Sequence, residues 1–133
     1  MKIPKGLSSL KQAYLLTEEA SKVGFDWEDI DGILKKFEEE IIEFKMALDT
    51  KKKVKISEEL GDLFFILVNI ARFLHIDPER ALGRTIRKFI LRFNYIEKSL
   101  KKSGKTPSQS NLWEMDKLWE EAKRKSKLGI QRH

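Results

Sequence analysis

The stretch from Leu60 to Leu74 constrains this chain more than any other. Leu60, Leu63, Phe64, Phe65, Ile66, Leu67, Val68, Ile70, Phe73 and Leu74 surround a helix axis almost completely. A helix that is apolar all round belongs in an interior. Glu59 and Asp62 open the same stretch, and a carboxylate in such surroundings is costly unless something neutralises it. Gly61 stands between them; inside a helix it costs roughly 1 kcal/mol against alanine, which predicts a close backbone approach. Any fold of this chain must cover that helix and answer its acids.

The rest of the chain supplies helices to do so. Leu7 to Val23 reads as a first helix ending near Gly24, with Leu10, Ala13 and Tyr14 among its apolar positions. After Gly24-Phe25-Asp26-Trp27, with Asp26, Asp29 or Asp31 available as N-caps, a second helix runs to about Leu48. Its Phe37, Ile41, Phe44 and Leu48 form a stripe of 3.6-residue period. The third helix is expected over Ser57 to Leu74, and Asp77-Pro78 starts a fourth in the usual way, Asp as N-cap and Pro in the first turn. The fourth carries Leu82, Ile86, Phe89, Phe93, Ile96 and Leu100, a seam able to meet other helices or a second subunit. Ser103 to Ser108 is a loop, and a last amphipathic helix covers Asn111 to Lys127, with a frayed tail beyond. With three prolines and seven glycines in 133 residues, turns are few. The fold class is all-α, in one domain spanning residues 1–133 with its core at about 10–125.

Several functions are excluded on content. Without cysteine there is no disulfide framework, thiolate zinc site or cysteine nucleophile. Two histidines, one of them His133, make a histidine metal site or a Ser-His-Asp triad a poor fit. No apolar run approaches the roughly 20 residues of a membrane span, and Met1 to Lys5 has no signal-peptide h-region. A cytoplasmic protein without a membrane partner is expected. The net charge of +6 suggests nucleic acid, but its distribution argues otherwise. Acids crowd the middle of the chain, from Glu38 to Asp62, while Arg84 to Lys105 and Lys123 to Lys127 are basic.

The acids are also spaced for chemistry. Glu40 and Glu43 stand i, i+3 on the second helix and leave one face. At 100° per residue Glu40 lies about 70° from the middle of the apolar stripe, at the rim of the core. Glu59 and Asp62 repeat the spacing on the third helix. A short connector makes the two helices antiparallel neighbours, so the four carboxylates converge. Like charges that close do not all stay ionised without a cation among them. Oxygen ligands suit Mg²⁺ or Mn²⁺; a network of carboxylates with lysines is the other solution.

These residues carry a resemblance. Glu39-Glu40-Ile41-Ile42-Glu43, fifteen residues and then Glu59-Leu60-Gly61-Asp62 resembles the EExxE…ExxD signature of the MazG family. Val23 to Trp27 resembles the family's VGFDW segment, and Glu58 to Phe65 with Val68 to Arg72 its EELGDLLF…VNLAR stretch. Lys88-Phe89 with Arg92-Phe93, and Trp119 with Lys123, resemble its KF..RF and W…K pairs. The likeness runs from about Leu10 to Lys125. It is greatest to the C-terminal catalytic domain of two-domain MazG proteins, of which this chain shows one.

The resemblance implies a four-helix-bundle-type core with an additional C-terminal helix. It implies an enzyme that splits nucleoside triphosphates at the α-phosphorus into monophosphate and pyrophosphate, with Mg²⁺ as cofactor and Mn²⁺ as substitute. Carried over by motif position, Glu40, Glu43, Glu59 and Asp62 are metal ligands, and Glu39 orients or deprotonates the attacking water. Asn69, Lys88, Arg92, Trp119 and Lys123 contact substrate, and the enzyme is a homodimer. On the residues alone, Lys88 and Arg92 also read as solvated cations, Trp119 as core and Asn69 as a partner between helices. Phe25, Trp27 and Trp113 read as packing, and His75 as a cation near the end of the third helix. Two alternatives differ in class. One is a narrow-substrate relative, dUTPase-like or a phosphoribosyl-ATP pyrophosphohydrolase. The other is a basic helical module that binds nucleic acid or protein, against which stands the lack of a helix with a base-reading set.

Overall fold

The computed structural model describes residues 1–127, which form five α-helices joined by short connectors. The expected frayed tail lies outside them, as does His133. Helix α1 (Ser9–Lys22) is capped by Ser8, whose Oγ accepts from the Lys11 amide at 3.2 Å. Helix α2 (Ile30–Thr50) is capped by Asp29, one of the three aspartates available, through the Gly32 amide at 2.9 Å. Gly32 makes room here: a β-carbon on it would meet the Trp27 ring at a tight 3.3 Å. Lacking one, it lets the indole lie against the first turn of α2.

Lys51 ends α2 in the left-handed conformation at φ 58°, the usual way to stop a helix sharply. The reversal is so short that α3 (Lys53–Phe73) begins four residues before the expected start. Helix α4 (Pro78–Lys102) opens as expected, with Asp77 Oδ1 accepting from the Glu79 amide at 2.9 Å. After a 3-10 turn at Pro107–Gln109 comes α5 (Leu112–Lys127), whose first turn is capped by Asn111 through the Glu114 amide at 2.8 Å. His75 sits just past α3 in the left-handed region, at φ 58°.

The chain divides into two compact units, Met1–Ala81 and a second from Leu82 onward. In the first, α3 packs against α2 and α1, around buried Ile33, Ala47 and Val68. In the second, Ile96 and Leu100 of α4 and Ala122 of α5 are buried. Three expectations fail. Helix α3 is not covered all round: Leu60, Phe64, Phe65 and Leu67 are exposed, because α1 and α2 occupy only part of its circumference. No backbone approaches Gly61; a β-carbon there would meet nothing within 4 Å. Phe25 and Trp113 do not pack either, at 82% and 73% exposed. Among the described residues no helix is long and apolar enough to cross a membrane.

Candidate functional site

Helices α2 and α3 bring the predicted acids together. Glu40, Glu59 and Asp62 each offer an oxygen within 4.8 Å of the others. Glu39 and Glu43 line the same cavity of about 560 Å³. The side chains leave i, i+3 positions on two packed helices, so the clustering follows from spacing plus the packing of α2 on α3. The Glu59 carboxyl is held above its ordinary range, first by burial and then by Asp62, Glu40 and Glu43, with Lys55 opposing. That is the response of acids lacking enough positive charge nearby. Three convergent carboxylates and no soft donor could hold a hard divalent cation.

Lys36 is the cation the sequence reading missed. Its Nζ lies 3.3 Å from Glu40 and 4.0 Å from Glu39. The signal was present, since Lys36 precedes Glu40 by four residues and so shares its helix face. Lys36 also lines a second cavity of about 690 Å³, mostly apolar, with Leu16, Phe25, Trp27, Phe65 and Ile66 in its wall.

At that second cavity stands Arg72, the one buried charged side chain among the described residues. Its Nη1 and Nη2 donate to the two Asp26 oxygens at 3.0 and 2.6 Å. Its Nε and Nη2 donate to Asn69 Oδ1 at 3.0 and 2.7 Å. The fork on Asp26 holds that carboxyl below its ordinary range, against the opposing effect of burial. Asn69 is thus placed in this second cavity with a hydrogen-bond partner of its own.

Lys88, Arg92, Trp119 and Lys123 belong to the second unit and the carboxylates to the first. Arg92 lies over the Trp119 ring at 5.2 Å, and Phe89 packs on the same indole with centroids 5.6 Å apart. Lys88 is exposed and Lys123 half-buried.

Residues 28–96 match the family described as the MazG nucleotide pyrophosphohydrolase domain. That span holds every predicted site residue except Trp119 and Lys123. The chain is 43% identical over 115 residues to a nucleoside triphosphate pyrophosphohydrolase/pyrophosphatase MazG of Thermotoga maritima, covering 86% of this chain and 44% of that protein. It is 33% identical over 124 residues to a nucleoside triphosphate pyrophosphohydrolase of Escherichia coli K12, covering 92% and 47%. An uncharacterized protein of Bacillus subtilis, YabN, is 50% identical over 68 residues, 51% of this chain and 14% of that one. The chain spans somewhat under half the length of the first two relatives.

Proposed function

The chain belongs to the MazG nucleotide pyrophosphohydrolase family, and from that premise we propose that it hydrolyses nucleoside triphosphates to nucleoside monophosphate and pyrophosphate in a Mg²⁺-dependent reaction. The convergence of Glu40, Glu59 and Asp62 carries this reading. Glu40, Glu59 and Asp62, with Glu43 beside them, would hold Mg²⁺, which when bound neutralises triphosphate charge and favours the attacking hydroxide. Glu39 takes the proton of the water as its oxygen bonds to the α-phosphorus. The bond from that phosphorus to the bridging oxygen breaks, and pyrophosphate leaves with the electron pair. Lys36, poised at Glu39 and Glu40, supplies a point charge for a phosphate oxygen.

The second cavity, sharing Lys36, is the seat for base and sugar. Its volume of about 690 Å³ and aromatic wall suit a nucleoside. The likeness of Lys88, Arg92, Trp119 and Lys123 to the family's KF..RF and W…K pairs supports a role for each in substrate contact. A homodimer is supported by the exposed part of the α4 seam, Leu82, Ile86 and Phe89, and light scattering checks it.

The test is product analysis over a panel of ribo- and deoxyribonucleoside triphosphates, with Mg²⁺ and with EDTA. Metal-dependent monophosphate and pyrophosphate from several bases is the expected result. Turnover of one nucleotide alone would make it a narrow-substrate relative. Diphosphate and orthophosphate would refute the α-phosphorus assignment.

A further inference from the structure

We propose that Arg72 and Asp26 are positioning residues that fix the side-chain amide of Asn69, so that Asn69 acts on the nucleoside as a hydrogen-bond donor. The inference rests on the reading of the second cavity as the nucleoside seat.

An asparagine amide has an acceptor end and a donor end, and nothing in the residue itself decides which end faces a ligand. Here a neighbour decides. The Arg72 guanidinium has only donors, and two of its nitrogens, Nε at 3.0 Å and Nη2 at 2.7 Å, converge on Asn69 Oδ1. A flipped amide would set N–H groups against N–H groups, so the oxygen is committed to Arg72. Nδ2 is then the group Asn69 keeps for the cavity it lines.

Arg72 is itself held. Asp26, on the connector before α2, takes Nη1 at 3.0 Å and Nη2 at 2.6 Å. Two partners on a planar fork fix both its position and its tilt. Burial of Arg72, 7% exposed, keeps water from competing for those bonds. Asp26 also lines the cavity, but both its oxygens are engaged by Arg72, so its hold on the Asn69 amide runs through the guanidinium.

A fixed donor selects for an acceptor on the bound molecule: a ring nitrogen, a carbonyl oxygen or a sugar oxygen. All the common nucleobases carry such acceptors, so this donor orients a nucleoside while admitting several bases. A group presenting only donors at that point is rejected, because its N–H would face another N–H.

Asn69→Asp separates positioning from mere structure. Aspartate gives Arg72 the same oxygen, although it sets a second carboxylate beside Asp26 on one guanidinium, so circular dichroism confirms that the variant is folded. What it loses is the donor. Steady-state kinetics of the folded variant with the best triphosphate and Mg²⁺ should show KM raised about tenfold and kcat within about threefold. The rise should persist at high salt, where general repulsion of a triphosphate is screened. Asp26→Asn, which loosens the fork, should raise KM in the same direction. Combined with Asn69→Asp it should add nothing, since both act on one hydrogen bond.

An unchanged KM in Asn69→Asp overturns the inference while leaving the proposed activity standing, provided wild type turns over. A wild type that hydrolyses no triphosphate overturns the activity and this inference with it. If Asp26→Asn fails to fold, Asn69→Asp decides alone.

Discussion

Glu59 and Asp26 are acids on the rims of two cavities in the same helical unit, and their surroundings drive them in opposite directions. At Glu59 burial and three neighbouring carboxylates raise the pKa, with Lys55 only partly offsetting them. At Asp26 the Arg72 fork lowers it, helped by the Trp27 amide, and overcomes burial. One region gathers more carboxylates than its cations, Lys36 and Lys55, offset; the other pairs both oxygens of its carboxylate with one guanidinium. The lesson is about purpose. A cluster left short of positive charge could take up a cation, as proposed, whereas a satisfied fork can hold a neighbour in place. Lys36 lines both cavities.

The contrast can be broken most severely at Glu59. Glu59→Gln removes one of three convergent oxygens' charges and should lower kcat by roughly a thousandfold, with the circular-dichroism spectrum unchanged. A variant that remains active would remove Glu59 from the site. Next in size is the effect of the cation itself. Mg²⁺ at about a hundred times its dissociation constant should stabilise wild type by about 2.7 kcal/mol, read as a rise in thermal midpoint. The same addition to Glu59→Gln should give a much smaller rise.

Arg72→Met attacks the other region by leaving Asp26 and Asn69 without their partner. Urea unfolding should show a loss of about 2 kcal/mol, toward the low end for a broken buried pair because Asp26 keeps 27% exposure. The two acids also predict opposite pH limbs in the metal-free protein. A lowered folded pKa at Asp26 means stability that is present above the ordinary aspartate value near 4 and lost as pH falls through the folded value. Asp26→Asn should therefore flatten the acid limb. A raised folded pKa at Glu59 means that stability falls as pH rises from the ordinary glutamate value through the folded one. Glu59→Gln should remove that loss. The smallest effect is expected at the residue the cavities share. Lys36→Gln breaks a half-exposed i, i+4 pair in its less favourable order, lysine first, and should cost about 0.4 kcal/mol of metal-free stability.

Much of this was legible beforehand, and what was not failed for identifiable reasons. Asp77 announced the start of α4, and Asp29 was one of three aspartates offered as the cap of α2, because a cap is a local hydrogen bond read from adjacent residues. Of the four carboxylates expected to converge from i, i+3 spacing and a short connector, Glu40, Glu59 and Asp62 meet, while Glu43 lines the same cavity outside that cluster. Burial was read less well. The apolar circumference of α3 promised an interior, yet Leu60, Phe64, Phe65 and Leu67 are exposed. Hydrophobicity states what a surface would gain by being covered, not whether anything arrives to cover it. Gly61 misled similarly, since a missing β-carbon permits a close approach without requiring one.

The sequence by itself determined the helices, their caps and the face from which each acid leaves, because these depend on residues within about four positions of one another. The motif series, itself a property of sequence, determined the family. Only the tertiary structure decided which distant groups meet. Asp26 and Arg72 are 46 residues apart, and nothing in either neighbourhood specifies that a guanidinium from α3 will close on a connector carboxylate. That pairing needs α3 packed in the unit that also holds the connector. Asn69 and Arg72 stand i, i+3 on α3, so their hydrogen bond lay within local reach; what the tertiary structure adds is Asp26, which fixes the guanidinium that orients the amide.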